Sequence, residues 1–207
     1  MSTEESAVPT RTPRQWDEIV AVVLLSLVAV MTAWCGFESS KWGGEMSISF
    51  SQASSNRVQA TDASSASRDA FQLDAMVFAQ WLVAKHSGDE ELATYLQGVF
   101  SDELDVAFAA WDGKTRTPFG LDEYVPAGTD KTAALTKKAD DAYAQALVNN
   151  QRGDNYSLLT VMFALVLFLG AVSQRRGPIW AQRALLTLAG VVAVAGVIIM
   201  ATFPVKI

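Results

Sequence analysis

Residues 19–36 read IVAVVLLSLVAVMTAWCG and contain no charged side chain. As a helix this stretch rises about 27 Å, close to the thickness of the hydrocarbon core of a bilayer. Trp16 and Trp34 bracket it, as aromatic side chains do at membrane interfaces. The stretch is longer than the apolar core of a typical signal peptide, and an acidic tail precedes it. We therefore interpret it as an uncleaved transmembrane helix.

Two further apolar blocks lie near the end of the sequence. Residues 157–173 read SLLTVMFALVLFLGAVS, and residues 184–203 read ALLTLAGVVAVAGVIIMATF. The connection between them, 174–183, holds a Gly177-Pro178 turn, so the two blocks must form an antiparallel hairpin in a membrane. The predicted fold class is an all-α membrane protein with three transmembrane helices.

The distribution of basic residues predicts the orientation. Five arginines lie in the tail 1–18 and the loop 174–183, whereas three basic residues lie near the spans on the other side: Arg11, Arg14, Arg175, Arg176 and Arg183 against Lys41, Arg152 and Lys206. Because cytoplasmic segments carry the excess of Lys and Arg, the N-terminus is expected in the cytoplasm. Residues 37–156 and the C-terminus are then outside. The expected location is the inner membrane of a bacterium.

Residues 37–156 are predicted to form a three-helix extracytoplasmic bundle between spans one and two. The first helix covers 46–86, which contain no Pro or Gly and have small Ser and Ala residues at heptad-like, coiled-coil spacing. The second is expected over 89–111, after Ser87-Gly88. A loop over 114–129 follows, and a third helix begins near Asp130 and is continuous with the second span unless Gly153 breaks it.

Composition excludes several classes of function. The formal net charge of −6 argues against a nucleic-acid partner, because phosphate binding needs clustered basic residues. The sequence has one cysteine, Cys35, and one histidine, His86, too few for a Cys/His zinc site. No nucleophile–base pair lies at a usable spacing, so we expect no enzyme activity, no cofactor and no bound metal.

Charged and aromatic side chains cluster where the first span ends. Trp34, Glu38, Lys41, Trp42 and Glu45 lie there, and helical spacing would pair Lys41 with both glutamates on one face. The cluster is interpreted as an interfacial anchor or, alternatively, as the lip of a pore or a docking point.

Arg57 is the other candidate, because it interrupts the seam of small residues. Its side chain is expected to reach outward to water. Alternatively it faces a polar cavity or an acidic partner such as Asp62, Asp69 or Asp74.

Several motifs resemble a widespread, uncharacterised family of bacterial three-span membrane proteins. Residues 33–61, AWCGFESSKWGGEMSISFSQASSNRVQAT, are similar to the segment that follows the first span in that family, at Trp34, Phe37, Trp42-Gly43 and Arg57. Further similar segments are FAQWL at 78–82, FAAW at 108–111 and PFGLDEY at 118–124. Glu45 stands where the family is expected to have glutamine. The resemblance implies the three-span topology and no particular activity.

The sequence leaves three functions open. The leading hypothesis is a non-enzymatic, homo-oligomeric structural or interaction protein of the cell envelope. Its expected partners are the bilayer and other copies of the chain, with another envelope protein as the alternative to a second copy. This hypothesis rests on the Ser/Ala seam and on small residues in the third span: Ala189, Gly190, Ala193 and Gly196. The alternatives are a cation-attracting oligomeric channel, with Glu38 and Glu45 as acidic rings, and a ligand-binding sensor module that works through a partner.

Overall fold

A computed structural model describes residues 13–175 and 177–206, and this part of the chain folds into helices without strands. We number the α-helices in chain order: α1 (Pro13–Ser87), α2 (Glu90–Gln97), α3 (Asp102–Ala110), α4 (Thr129–Ser173) and α5 (Ile179–Ala201), with one 3₁₀ turn at Pro118–Gly120. Three of them, α1, α4 and α5, are long and apolar enough to cross a membrane. The all-helical class and the three candidate spans predicted from the sequence are thus confirmed.

The chain divides into two compact units. The first, here the span unit, combines Met1–Ile48 with Gln145–Ile207, and the second, here the inserted unit, is Ser49–Ala144. Helices α1 and α4 contribute residues to both units.

The core of the span unit is apolar and includes small residues where helices approach closely. Phe163 and Val166 of α4 are fully buried beside Ala189 and Ala193 of α5. A Cβ atom added at Gly196 would lie 2.7 Å from the Phe163 ring, so only glycine fits there. Three of the four small residues of the third span, Ala189, Ala193 and Gly196, are therefore used for packing within the chain, whereas a Cβ atom at Gly190 would meet nothing within 4 Å.

The core of the inserted unit is aromatic. Phe78 of α1 and Leu104 of α3 are buried at its centre. The Phe78 ring packs against four other rings whose centroids lie within 7 Å: Trp81, Phe108, Trp111 and Phe119. The seam of small residues in α1 is also covered, since Ala53, Ala60 and Ala63 are less than a tenth exposed. Gly128, with a φ of +90°, lies against the main chain of Ala63.

The helix boundaries partly follow the prediction. The predicted break at Ser87-Gly88 is confirmed, because α1 ends at Ser87 and Gly88 adopts a φ of +77°. The helix predicted over 46–86 and the first span over 19–36 are one helix in the structure.

The predicted second helix, 89–111, is wrong in one respect, because the structure divides it into α2 and α3. Asp89 begins α2, and its carboxylate accepts a hydrogen bond from the Leu92 amide at 3.0 Å. Ser101 begins α3 in the same way and accepts from the Leu104 amide. The Ser101 side chain thus stabilises the start of a separate helix, α3, where the apolar periodicity alone predicts one continuous helix.

In the C-terminal part of the chain the observed helices agree more closely with the prediction. Helix α4 continues through Gly153 into the second apolar block, as predicted. Helix α5 begins at Ile179, five residues before the predicted span, so the connection 174–183 is partly helical. Of the arginines that predict the orientation, Arg11 and Arg176 and the side chain of Arg14 lie outside the described residues.

Candidate functional site

The charged and aromatic cluster on α1 is partly buried in the span unit. Glu38 is 0% exposed and Trp42 is 5% exposed, although both lie beyond the predicted end of the first span. Trp34 is 38% exposed, and its ring centroid lies 5.9 Å from that of Phe37. The side chains that face the interior of this unit are therefore Glu38 and Trp42.

The partner of both glutamates is Lys206, in the segment that follows α5. The main-chain N–H of Lys206 donates a hydrogen bond of 2.9 Å to Glu38 Oε2, and its Nζ atom lies 3.2 Å from Glu45 Oε1. The same Nζ lies 5.8 Å from the centroid of the Trp42 ring, within range of a cation–π interaction. Lys206 thus connects three of the predicted site residues.

Lys41 does not occupy the place that helical spacing assigns to it. Its Nζ atom lies 5.9 Å from the centroid of the Phe37 ring. The ion pair found at Glu45 is with Lys206 instead. The predicted pairing of Lys41 with the glutamates is wrong, because Lys206, which is distant in sequence, contacts both carboxylates instead.

Residues 203–206 are held to the rest of the span unit by Tyr156. The phenol of this fully buried residue donates a hydrogen bond of 3.1 Å to the Pro204 carbonyl. The Tyr156 and Phe203 rings contact each other edge to face, with centroids 5.6 Å apart. We call residues 203–206 the strap, because these contacts fix them across Glu38 and Trp42.

Helix α4 supplies a second cation to Trp42. The Arg152 guanidinium carbon lies 4.6 Å from the centroid of the Trp42 ring. The next residue, Gly153, packs beside α1: a Cβ atom added there would lie 3.5 Å from the Ser39 carbonyl oxygen and 3.6 Å from Trp42 Cβ, which are ordinary van der Waals distances. No carboxylate partner of Arg152 is found in the part of the chain that the structure describes.

Two buried polar atoms of this site have no hydrogen-bond partner among the described residues: Glu38 Oε1 and Trp42 Nε1. One is an acceptor that lacks a donor, and the other is a donor that lacks an acceptor. Buried polar groups in proteins nearly always have partners, so this pair distinguishes the site from an ordinary helix contact.

Arg57, the remaining predicted site residue, belongs to the inserted unit. Its guanidinium pairs with Asp140 at 3.1 Å, whereas the sequence suggested Asp62, Asp69 or Asp74. Its side chain is 59% exposed, in agreement with the outward orientation that was expected.

A shallow groove of about 430 Å³ adjoins Arg57. Phe50, Val58, Asp62 and Tyr143 are among the residues that line it. The Arg57 guanidinium lies 5.6 Å from the Tyr143 ring centroid, so the groove combines aromatic surface with one charge of each sign.

Sequence reasoning missed three residues of the span-unit site: Arg152, Tyr156 and Lys206. From the sequence, Arg152 and Lys206 are recognised only as basic residues near the spans. Pro204, which cannot continue a helix, was the available signal that residues 203–206 leave the helical path of the span. Among residues 13–175 and 177–206, no group of three His, Cys, Asp or Glu side chains is placed to hold a metal ion.

Comparisons of the chain with protein-family models, with curated proteins and with solved structures find no match. The family resemblance of residues 33–61 therefore stays a prediction.

Proposed function

We propose that this protein is a non-enzymatic interaction protein of the bacterial inner membrane that associates with other copies of itself through the outer part of α1. In this proposal the N-terminus is cytoplasmic, and residues 37–156 form an extracytoplasmic helical bundle. The observation that supports it best is an exposed, uncharged face on α1 in the inserted unit.

This face is formed by Leu73, Met76 and Val83, which are 62%, 58% and 69% exposed. They recur at the spacing of one side of a helix, with Gln80 between them. Leu73 lies 37 residues beyond the predicted end of the first span, about 55 Å along a helix, so the bilayer is not expected to cover it.

The charge pattern of this face favours a second copy as its partner. Copies anchored in one membrane with one orientation must pair in parallel, so that each residue of a two-fold interface meets its own counterpart. A charged residue would then meet a like charge. Between residues 70 and 84 the one charged side chain is Asp74, which is 7% exposed and hydrogen-bonded within the inserted unit.

The energetics suit association within a membrane. Burying the three apolar side chains contributes about 1.5–3 kcal/mol each at most. Association in free solution costs about 4–15 kcal/mol in lost translational and rotational freedom. Anchoring in the bilayer already removes part of that freedom, so a face of this size can suffice there.

Cross-linking tests the proposal. In a Cys35→Ala background, Met76→Cys should form a disulfide-linked dimer in native membranes under mild oxidation, because identical residues face each other in a parallel pair. Val106→Cys is the matched control, since Val106 of α3 is 58% exposed but lies on another helix. The mass of the detergent-solubilised wild type should be a multiple of 22.3 kDa. A monomeric mass together with no Met76→Cys dimer would refute self-association.

Substitution provides a second test. Val83→Glu should dissociate the oligomer, because a parallel pair would then bury two like charges against each other. Val106→Glu should leave the oligomer intact. Equal behaviour of the two variants would show that this face is not the interface.

The channel hypothesis has less support. It requires Glu38 and Glu45 to form open acidic rings, but Glu38 is buried within one chain and Glu45 is paired with Lys206. Cation flux in liposomes that falls in the Glu38→Gln/Glu45→Gln double variant would favour it nonetheless.

The sensor hypothesis is favoured by one observation, the groove beside Arg57 with its Phe50 and Tyr143 rings. A small ligand there should raise the melting temperature of the wild type. It should have no such effect on Arg57→Ala.

A further inference from the structure

The strap fills the site at Glu38 and Trp42 incompletely. The Lys206 ammonium pairs with Glu45, and only the main-chain N–H of Lys206 donates a hydrogen bond to Glu38. Glu38 Oε1 is left without a donor and Trp42 Nε1 without an acceptor among the described residues, at exposures of 0% and 5% for the two side chains. A buried polar group without its hydrogen bond is destabilising. A ligand that supplied a donor to Glu38 Oε1 and an acceptor to Trp42 Nε1 would therefore bind more tightly than one that supplied neither.

The missing partners define the chemistry of such a ligand. The Glu38 and Glu45 carboxylates can bind a cation that donates several hydrogen bonds. A primary ammonium is such a cation, since it has three N–H groups. The Trp42 Nε1–H group can donate to an acceptor. Arg152 lies 4.6 Å from the Trp42 ring centroid and has no carboxylate partner among the described residues, so its guanidinium can bind an anion. Phosphate oxygens satisfy both of these groups.

We propose that Glu38, Trp42, Glu45 and Arg152 form a binding site for a phosphoethanolamine group, and that Lys206 of the strap is its intramolecular competitor. The ammonium of the ligand takes the place of the Lys206 main-chain N–H and Nζ at the two carboxylates. The phosphate contacts Trp42 Nε1 and the Arg152 guanidinium. The proposal concerns the span unit and is independent of the proposed self-association.

The position of the site agrees with a headgroup ligand. Glu38 and Trp42 lie two and six residues beyond the predicted end of the first span, about 3 and 9 Å along the helix. The headgroup layer extends roughly 5–8 Å beyond the hydrocarbon core on each side. A phosphatidylethanolamine headgroup would be available at that depth, and a soluble phosphoethanolamine ester is the other source of the same group.

The indole N–H signal of Trp42 provides a direct measurement. Protein labelled with ¹⁵N-tryptophan is solubilised in detergent, and Trp42→Phe identifies the Trp42 signal among the six tryptophans. The protein is titrated with a short-chain phosphatidylethanolamine, with the corresponding phosphatidylcholine, and with glycerophosphoethanolamine. Choline retains the positive charge but has no N–H donor, so it is the matched control ligand.

We expect the phosphatidylethanolamine to shift the Trp42 signal and the phosphatidylcholine to shift it much less. Lys206→Met removes the competing ammonium at Glu45 but keeps the main-chain N–H at Glu38. The apparent affinity should therefore rise, by at most about tenfold if the strap occupies the site nine-tenths of the time. Glu38→Gln and Glu45→Gln should weaken it. A response to glycerophosphoethanolamine equal to that of the lipid would assign the site to a soluble ester, and a response to the lipid alone would assign it to the membrane.

Three results would overturn the proposal: no shift of the Trp42 signal in wild type or Lys206→Met, equal shifts with the ethanolamine and choline lipids, or an affinity that Lys206→Met leaves unchanged. Lys206→Gln and Arg152→Gln are second variants for the two charged groups. The unchanged signals of the tryptophans in the inserted unit, Trp81 and Trp111, show that each variant is folded.

Discussion

The phenol of Tyr124 donates a hydrogen bond of 2.8 Å to Asp74 Oδ2, and this pair lies buried in the inserted unit. Ser101, the residue that begins α3, donates to the same carboxylate oxygen at 2.9 Å. One carboxylate of α1 therefore fixes both the start of α3 and the loop that precedes α4. This connection positions the elements that the sequence alone predicts only one at a time.

Tyr124→Phe should lower the free energy of unfolding of the inserted unit by about 1–3 kcal/mol, because it removes one of the two side-chain donors to a buried carboxylate. Unfolding can be followed in detergent by the fluorescence of Trp81 and Trp111, which belong to the adjacent aromatic core. Tyr95→Phe is the control, since Tyr95 is 68% exposed, and its effect should stay within about 0.5 kcal/mol. Equal effects of the two variants would contradict a role for the buried pair.

The stability of the wild type should also depend on pH through Tyr124. Burial, the hydrogen bond to Asp74 and the nearby negative charge of Glu103 raise the pKa of Tyr124 above the ordinary value of 10.0. The folded chain then retains a proton that the unfolded chain releases, so this contribution is complete below pH 10 and is lost as the pH rises above it. Above about pH 10 the melting temperature should therefore fall more steeply with pH for the wild type than for Tyr124→Phe. Parallel curves would show that Tyr124 does not contribute.

In the third span, Gly196→Ala should destabilise the protein and Gly190→Ala should not. An added Cβ at Gly196 meets Met162 Cε and Phe163 Cε1 at 2.7 Å, and the fully buried Phe163 ring has little room to move. Overpacking of this kind costs about 1–3 kcal/mol. No atom lies within 4 Å of a Cβ at Gly190. Thermal melting in the same detergent measures both, and a larger loss for Gly190→Ala would reverse the assignment of the packed face.

Arg57→Gln should change the free energy of unfolding by less than about 1 kcal/mol, because the side chains of Arg57 and Asp140 are 59% and 62% exposed and water screens their attraction. The small difference should decrease further at high salt. A loss comparable to that of Tyr124→Phe would indicate that Arg57 has a partner beyond Asp140.

Reporter fusions test the proposed orientation. Alkaline phosphatase, which is active only outside the cytoplasm, should be active when fused after Gly113 or Ile207 and inactive after Thr10. A cytoplasmic reporter should give the opposite pattern. Phosphatase activity after Thr10, or its absence after Gly113, would reverse the orientation inferred from the arginines.

The sequence by itself determined the helical class, the three candidate spans and the break at Gly88. Each of these depends on a local property: an uncharged apolar run long enough for a bilayer, or a residue that tolerates a positive φ. It also singled out residues 34–45 as a candidate site, because unlike residue types stand together there.

The tertiary structure decided which groups that cluster meets. Lys206 reaches Glu38 from 168 residues away, and Arg152 reaches Trp42 from another helix. Periodicity records which face of a helix is apolar, but not which distant segment covers that face. Tyr124 and Asp74 illustrate the same limit, since their hydrogen bond exists only because a loop returns to α1. Local sequence specifies helices, whereas the contacts that bury Glu38 and Asp74 form only when helices and loops pack together.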